Sequence, residues 1–238
     1  SVRKSEKSFN SELGVPLTIL GLPNAWHDFF GWIRNLTIGL WRAFMLRKYP
    51  KVIVLEVGAD HPGDIKRIAR WLHTNIAVIT RLPDRPVHVE HFASPSAVRK
   101  EKAELLRGLK KRGVFVGCAD DPHVIELMTH TEARPLLFGF DPEATVRAGE
   151  MSPIYKETKE IKGEKLPVGT AFTVFYLGMN ERVALPGVLG KPSVMSALAA
   201  LAVGIAREES LERMAQTLET LETPPGRHRH SSPCRSCR

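Results

Sequence analysis

Glu56 stands at the end of the apolar run Val52-Ile53-Val54-Leu55 and opens the stretch Val57-Gly58-Ala59-Asp60-His61-Pro62-Gly63-Asp64. No other part of the chain so readily suggests chemistry. A carboxylate delivered to the C-terminal end of a buried strand lies where open α/β sheets bind ligands, and there it can hold a cation or contact a substrate. It can equally cap a helix or close an ion pair at the sheet edge, and this segment alone leaves both readings open.

Other reactive residue types have simpler readings. Asp120-Asp121-Pro122 carries paired carboxylates, but Asp before Pro is first of all a helix-start signal. Lys100 and Glu104 flank Lys102 at i,i+4 spacing, the pattern of a solvated helix face. Gly187-Val188-Leu189-Gly190-Lys191-Pro192-Ser193 imitates a phosphate-binding loop, yet Pro192 removes both the hydroxyl that would hold magnesium and one backbone donor. His228, His230, Cys234 and Cys237 include a C-x-x-C and could ligate zinc. Their segment has no apolar residue to anchor it, so a mobile, disordered tail is expected after Arg227.

The elements that must position these groups alternate. Buried strands are predicted at 52–57, 75–80, 114–117 and 134–140, with the first three adjacent and parallel. Helical spacing predicts a helix from Asp64, suited to the N-cap, through Leu72, and others at 96–112, 124–128, 193–207 and 210–221. Residues 171–177 and 182–185, around Met179-Asn180, read as an antiparallel hairpin. The expected fold class is α/β: a doubly wound, mostly parallel sheet flanked by helices, with a small antiparallel elaboration. Trp26 to Leu46 reads as an aromatic-rich amphipathic helix packed on the domain; His27, Asp28, Arg34, Asn35 and Arg42 make it too polar to span a membrane.

At 238 residues with 43% hydrophobic and 25% charged content, the chain can bury one substantial core. Three cysteines, two within the last five residues, form no disulfide framework and suit a reducing compartment. The formal charge of +8 invites a nucleic-acid reading, but four arginines, Arg227, Arg229, Arg235 and Arg238, account for half of it without an intervening acid. The remainder suits an anionic nucleotide substrate better than nucleic acid. No signal peptide is expected, and both ends read as cut.

Six short motifs in order carry a resemblance. Ser8-Phe9-Asn10 with Gly14-Val15-Pro16-Leu17-Thr18, Leu55-Glu56-Val57-Gly58-Ala59, the His88 segment, Lys102-Ala103-Glu104, Ala119-Asp120-Asp121 and Ala197-Leu198-Ala199-Ala200 resemble the Mur ligase family. The likeness covers residues 1–227 and implies the family's central ATP-binding domain, with 228–238 a tail that is disordered or non-native.

That resemblance implies a reaction in which ATP and Mg2+ activate a carboxylate as an acyl phosphate, which an incoming amine attacks to form an amide. By the same resemblance, Glu56 and His88 serve as magnesium ligands and Lys102 is carbamylated into a carboxylate-like support for metal. Asn10 approaches the muramoyl-peptide substrate, and Asp120 and Asp121 lie on the nucleotide side. The implied partners of the complete enzyme are UDP-N-acetylmuramoyl-peptide and D-alanyl-D-alanine, acting on a cytoplasmic monomer without nucleic acid or a transmembrane segment. The chain departs from the family at Cys118, Pro192-Ser193 and Ser196, where asparagines or His-Asn are common, and its 238 residues contain no G-x-x-x-x-G-K-[ST]. The fragment alone is therefore expected to be inactive. The alternative is a non-catalytic module of the same fold without phosphate binding.

Overall fold

The computed structural model describes residues 1–5, 9–45, 49–86, 89–157 and 165–221. The chain divides into two compact units, Ser1–His73 with Asp84–Gly108, and Thr74–Pro83 with the chain from Leu109 onward.

In the first unit, β1 (Val2–Lys4) pairs in parallel with β2 (Val52–Val54) as a two-stranded sheet. The other elements are α1 (Gly14–Leu20), α2 (Phe29–Met45), α3 (Asp64–Ala69) and α4 (Pro95–Ala103), the last running into a 3-10 turn over Glu104–Gly108. Val15, Leu17, Ile65, Ile68, Val98 and Leu106 are buried here. Helix α4 starts as its sequence dictates, with Ser94 accepting from the Ala97 amide at 3.2 Å and Pro95 in the first turn.

Three expectations for this unit are corrected. The strand leading to Glu56 does not join the strands at 75–80 and 114–117; it is three residues long, its hydrogen-bonding partner is β1, and Val54 is exposed. Short β-branched runs favour extended backbone but do not specify which edge they pair with. The helix expected at 96–112 stops at Ala103, because Gly108 packs against backbone: a Cβ there would lie 2.7 Å from the Leu72 carbonyl oxygen, and the chain is already extended from Leu109. Helix α2 forms but turns its bulk outward. Its buried residues are Gly31, Asn35 and Gly39, with Gly39 close to the side chains of Leu20 and Leu22, so the small residues admit these neighbouring side chains and the large apolar ones face away.

The second unit is built on a six-stranded sheet in the order β3 (Thr74–Ile79), β4 (Leu109–Cys118), β5 (Arg134–Gly139), β6 (Val146–Glu157), β7 (Lys165–Tyr176), β8 (Met179–Pro186). The pairings from β3 to β6 are parallel, with Val78 opposite Val116 and Val116 opposite Leu136; those from β6 to β8 are antiparallel. This is the α/β architecture read from the sequence, with a larger antiparallel part than foreseen because β6 gave no alternating apolar signal. Only its first residues, Val146 and Ala148, enter the core. The hairpin turns at Leu177-Gly178, both at positive φ, two residues before the expected position.

The core of this sheet gathers Val116, Phe138, Val146, Phe172 and Val183 against Leu198 and Leu201 of α6 (Lys191–Ala206), which is buried as its small, apolar sequence predicts. Helices α5 (Pro122–Glu126) and α7 (Leu211–Glu219) complete the unit, the latter N-capped by Ser210. The tail with its four candidate zinc ligands lies outside the described residues.

Candidate functional site

The first unit holds the loop between β2 and α3, and its geometry starts from backbone. Ser5 donates its amide to the Val54 carbonyl at 3.1 Å, and its hydroxyl accepts from the Glu56 amide at 3.3 Å. Glu56 thus leaves the two-stranded sheet with its backbone fixed and its side chain exposed, without an ion pair or hydrogen bond to the carboxylate among the described residues. Two residues on, the Gly58 amide donates to the Asn10 carbonyl at 2.8 Å. The Asn10 side chain occupies the space a Cβ on residue 58 would need, with Nδ2 2.8 Å from that position, so a larger residue there would displace the Asn10 amide. Asn10 and the Glu56 loop, far apart in sequence, are therefore joined.

Helix α3 is capped from another element. Gly63, at φ 92°, is its N-cap and offers no side chain. The Glu101 carboxylate of α4 supplies the acceptors instead, taking the Gly63 amide at 2.9 Å and the Lys66 amide at 3.0 Å, and it is buried at 8% exposure. Asp64, expected at the N-cap, is the first helical residue; its Oδ2 accepts from the amides of Asp60 (3.1 Å) and His61 (2.7 Å), while Oδ1 pairs with Arg67, which also binds Glu12. A carboxylate in this first turn is also favoured by the helix dipole.

Lys102 follows Glu101 on α4 and is half-buried, and its ammonium has no ion pair or hydrogen bond among the described residues. The solvated-face reading fails in one detail: Glu104 pairs with Arg107 at 3.1 Å rather than with Lys100. His88 lies outside the described residues. Nearby in sequence, His91 stacks on His61 with ring centroids 4.7 Å apart. Among the described residues no three His, Cys, Asp or Glu side chains converge as a metal cluster. A single exposed carboxylate fits magnesium nevertheless, since that ion keeps several waters and takes one or two protein carboxylates alongside substrate phosphates.

The second unit presents a separate constellation at the C-terminal ends of β3, β4 and β5, the end at which α/β sheets bind ligands. Asp120 accepts through Oδ1 from the amides of Phe140 (2.7 Å) and Asp141 (2.9 Å), and its Oδ2 lies 3.1 Å from the Lys191 ammonium. That ammonium sits over the Phe140 ring, 4.5 Å from its centroid. Asp121 is the N-cap of α5, accepting from His123 and Val124, and its other oxygen takes the Leu82 amide at 2.7 Å. Both aspartates thus tie strand ends together through backbone donors. Lys191, noted in the sequence only as part of a false phosphate loop, is engaged by Asp120 here. Glu101 and Lys191 are the residues sequence reasoning missed; nothing in their local spacing reveals a partner contributed by a different element. Cys118, at the end of β4, is buried, and burial pushes its thiol pKa upward.

The Mur ligase middle-domain profile matches residues 34–204. The UDP-N-acetylmuramoyl-tripeptide--D-alanyl-D-alanine ligase of Bacillus subtilis is 25% identical over 94% of this chain and 42% of its own length. The ligase of the same name from Mycobacterium bovis is 30% identical over 93% of this chain and 36% of its own. Among solved structures, MurF from Acinetobacter baumannii superposes with a TM-score of 0.71 at 22% identity, covering 95% of this chain and 41% of that one. MurF ligase from Thermotoga maritima in complex with ADP gives 0.69 at 22% identity, covering 95% and 43%. The structural likeness establishes the fold, and the chain spans about two fifths of the length of the relatives it matches. With the profile covering most of its residues, the chain belongs to the Mur ligase middle-domain family.

Proposed function

We propose that residues 1–227 form the central domain of an ATP-dependent ligase that joins D-alanyl-D-alanine to UDP-N-acetylmuramoyl-tripeptide in the cytoplasm during peptidoglycan precursor synthesis. The supporting observation is the end-to-end match to ligases of that name, over 94% and 93% of the chain. Mur ligases are ATP-dependent, so the site must bring two polyanions together and stabilise charge moving onto phosphate.

In this reading Glu56 supplies the carboxylate that holds Mg2+, its backbone fixed by Ser5 and its side chain left without a protein partner. When bound, the ion polarises the phosphoryl oxygens. Asn10, locked onto Gly58, orients the muramoyl-peptide beside that loop. Lys102 carries a carbamate formed from its neutral amine and carbon dioxide, converting a cation into a second anionic ligand, and His88 is the proposed ligand of a second Mg2+. Asp120 and Asp121 shape the nucleotide side by holding the ends of β4 and β5 and the loop of Leu82.

The test is ligation by the full-length gene product. With UDP-N-acetylmuramoyl-tripeptide, D-alanyl-D-alanine, ATP and Mg2+, amide product and ADP should form in equal amounts by mass spectrometry and a coupled assay. A folded full-length protein that makes no product would reject the reading. The second reading, a non-catalytic module, is favoured by Lys191 being engaged with Asp120. The coding DNA upstream of Ser1 separates the two: an in-frame phosphate loop supports the ligase, and a start codon adjoining Ser1 supports the module.

A further inference from the structure

Helix α2 turns a broad apolar face to solvent. Phe29, Phe30, Leu36, Leu40, Trp41 and Phe44 are each 64–78% exposed. Leu36, Leu40 and Phe44 follow one another at i,i+4 spacing along a single stripe, and Phe30 and Trp41 widen it at either end. Scattered exposed apolar residues are ordinary; a contiguous run of them along one helix marks an interaction surface.

The helix cannot simply roll this face inward, because its other side is fastened. Asn35 donates from Nδ2 to the Pro23 carbonyl at 2.7 Å, Arg42 donates to the carbonyls of Leu20 (2.6 Å) and Gly21 (2.8 Å), and Trp32 donates from Nε1 to the Trp26 carbonyl at 3.0 Å. Gly31 and Gly39 complete the contact side, where larger residues would collide.

Charge selects the occupant. From Phe29 to Lys51 the chain carries Arg34, Arg42, Arg47, Lys48 and Lys51 and not one Asp or Glu. Arg42 is held on the fastened side, and a second copy docked face to face would add one basic segment to another with no acid in either to pair Arg34. An anionic lipid surface satisfies both requirements, taking aromatic and aliphatic side chains at the boundary between headgroups and acyl chains and meeting the cations with phosphate. Among the described residues no helix is long and apolar enough to cross a membrane, and α2 spans 17 residues interrupted by Arg34 and Arg42, so it suits lying along an interface rather than spanning it.

We propose that α2 is an interfacial anchor that docks this protein on anionic bilayers, its exposed apolar stripe inserted at the headgroup boundary and the exposed Arg34 set against lipid phosphate. This inference is independent of the ligase reading.

The experiment is vesicle flotation of the full chain on phosphatidylcholine with three parts in ten phosphatidylglycerol, and on phosphatidylcholine alone. Binding to the anionic vesicles should exceed binding to neutral ones at least tenfold and should weaken between low and high salt. Leu40→Glu with Phe44→Glu, both at exposed positions, should reduce anionic binding at least tenfold while circular dichroism and melting stay unchanged. Arg34→Glu should weaken the anionic preference without altering the fold. Failure to float on either lipid, or flotation of the double variant like the parent, overturns the proposal. A concentration-dependent dimer in sedimentation equilibrium, abolished by the double variant in a chain that ignores lipid, would give the face to a second copy instead.

Discussion

The buried carboxylate of Glu101 accepts the Gly63 amide at 2.9 Å and thereby closes the start of a helix that has no capping side chain of its own. Charge-assisted hydrogen bonds to buried amides contribute about 1.5–3 kcal/mol. Glu101→Ala should therefore destabilise the first unit by about 2 kcal/mol, and Glu101→Gln by less, since one acceptor oxygen remains. Hydrogen exchange would read this at the Gly63 and Lys66 amides, which should exchange at least tenfold faster in the alanine variant. Unchanged protection there would remove the cap from the account.

Gly139 faces a similar constraint from the other direction. A Cβ at this position would collide with Asp120 Oδ1, the atom that ties β4 to the loop after β5. Gly139→Ala should cost about 1–3 kcal/mol by urea denaturation, as overpacking does. Combined with Asp120→Ala, it should cost less than the two single losses added, because the colliding atom is gone. Strict additivity would show that the clash is relieved elsewhere.

The role proposed for Lys102 is tested in the full-length gene product. Lys102→Ala should lower ligation at least a hundredfold, and added bicarbonate should not restore it, since the variant has no amine to carbamylate. Near-normal turnover would reject the role.

Cys118 gives a pH-dependent handle. Burial raises its thiol pKa and shields it from reagents, so the native thiol ionises at higher pH than the unfolded one. On a background with Cys234 and Cys237 replaced by serine, iodoacetamide should label the native chain far more slowly than the urea-unfolded one. A folded pKa above the unfolded value contributes stability that is fully present below the unfolded pKa and is lost as pH rises through the folded one. Stability should thus decline on the alkaline side, and Cys118→Ser should flatten that decline.

Nucleotide binding by these 238 residues alone should be weak, because they contain no phosphate loop to cradle the polyphosphate. Calorimetry should detect no micromolar, magnesium-dependent ATP affinity. Finding such affinity would require another phosphate site.

The alternation of apolar runs made β3, β4, β5 and helix α6 legible, because each is buried enough for its composition to report its environment. The hairpin was legible for the same reason, at Phe172 and Val183, while its turn was displaced because Leu177 adopts a positive φ that leucine rarely takes. Strand β6 was missed because most of its residues face solvent and alternate without a hydrophobic signature. The partner of β2 was misassigned because three β-branched residues carry no information about which edge they pair with. At the candidate site, Glu56 and Asp121 could be singled out from local context, whereas the Glu101 cap on α3 and the Lys191 contact with Asp120 depend on residues 35 or more positions apart meeting in space.

The first unit is assembled from residues on either side of Thr74–Pro83, and that intervening segment belongs to the second. The polypeptide passes between the two units at His73, at Pro83 and at Gly108, so no single cut releases either one intact. Dissection by simple truncation will consequently leave β3 without β4 or strand Glu101 away from α3. During synthesis, likewise, α3 must wait for α4 to emerge before its cap exists, and β3 must wait for the residues from Leu109 before it has a neighbour to pair with.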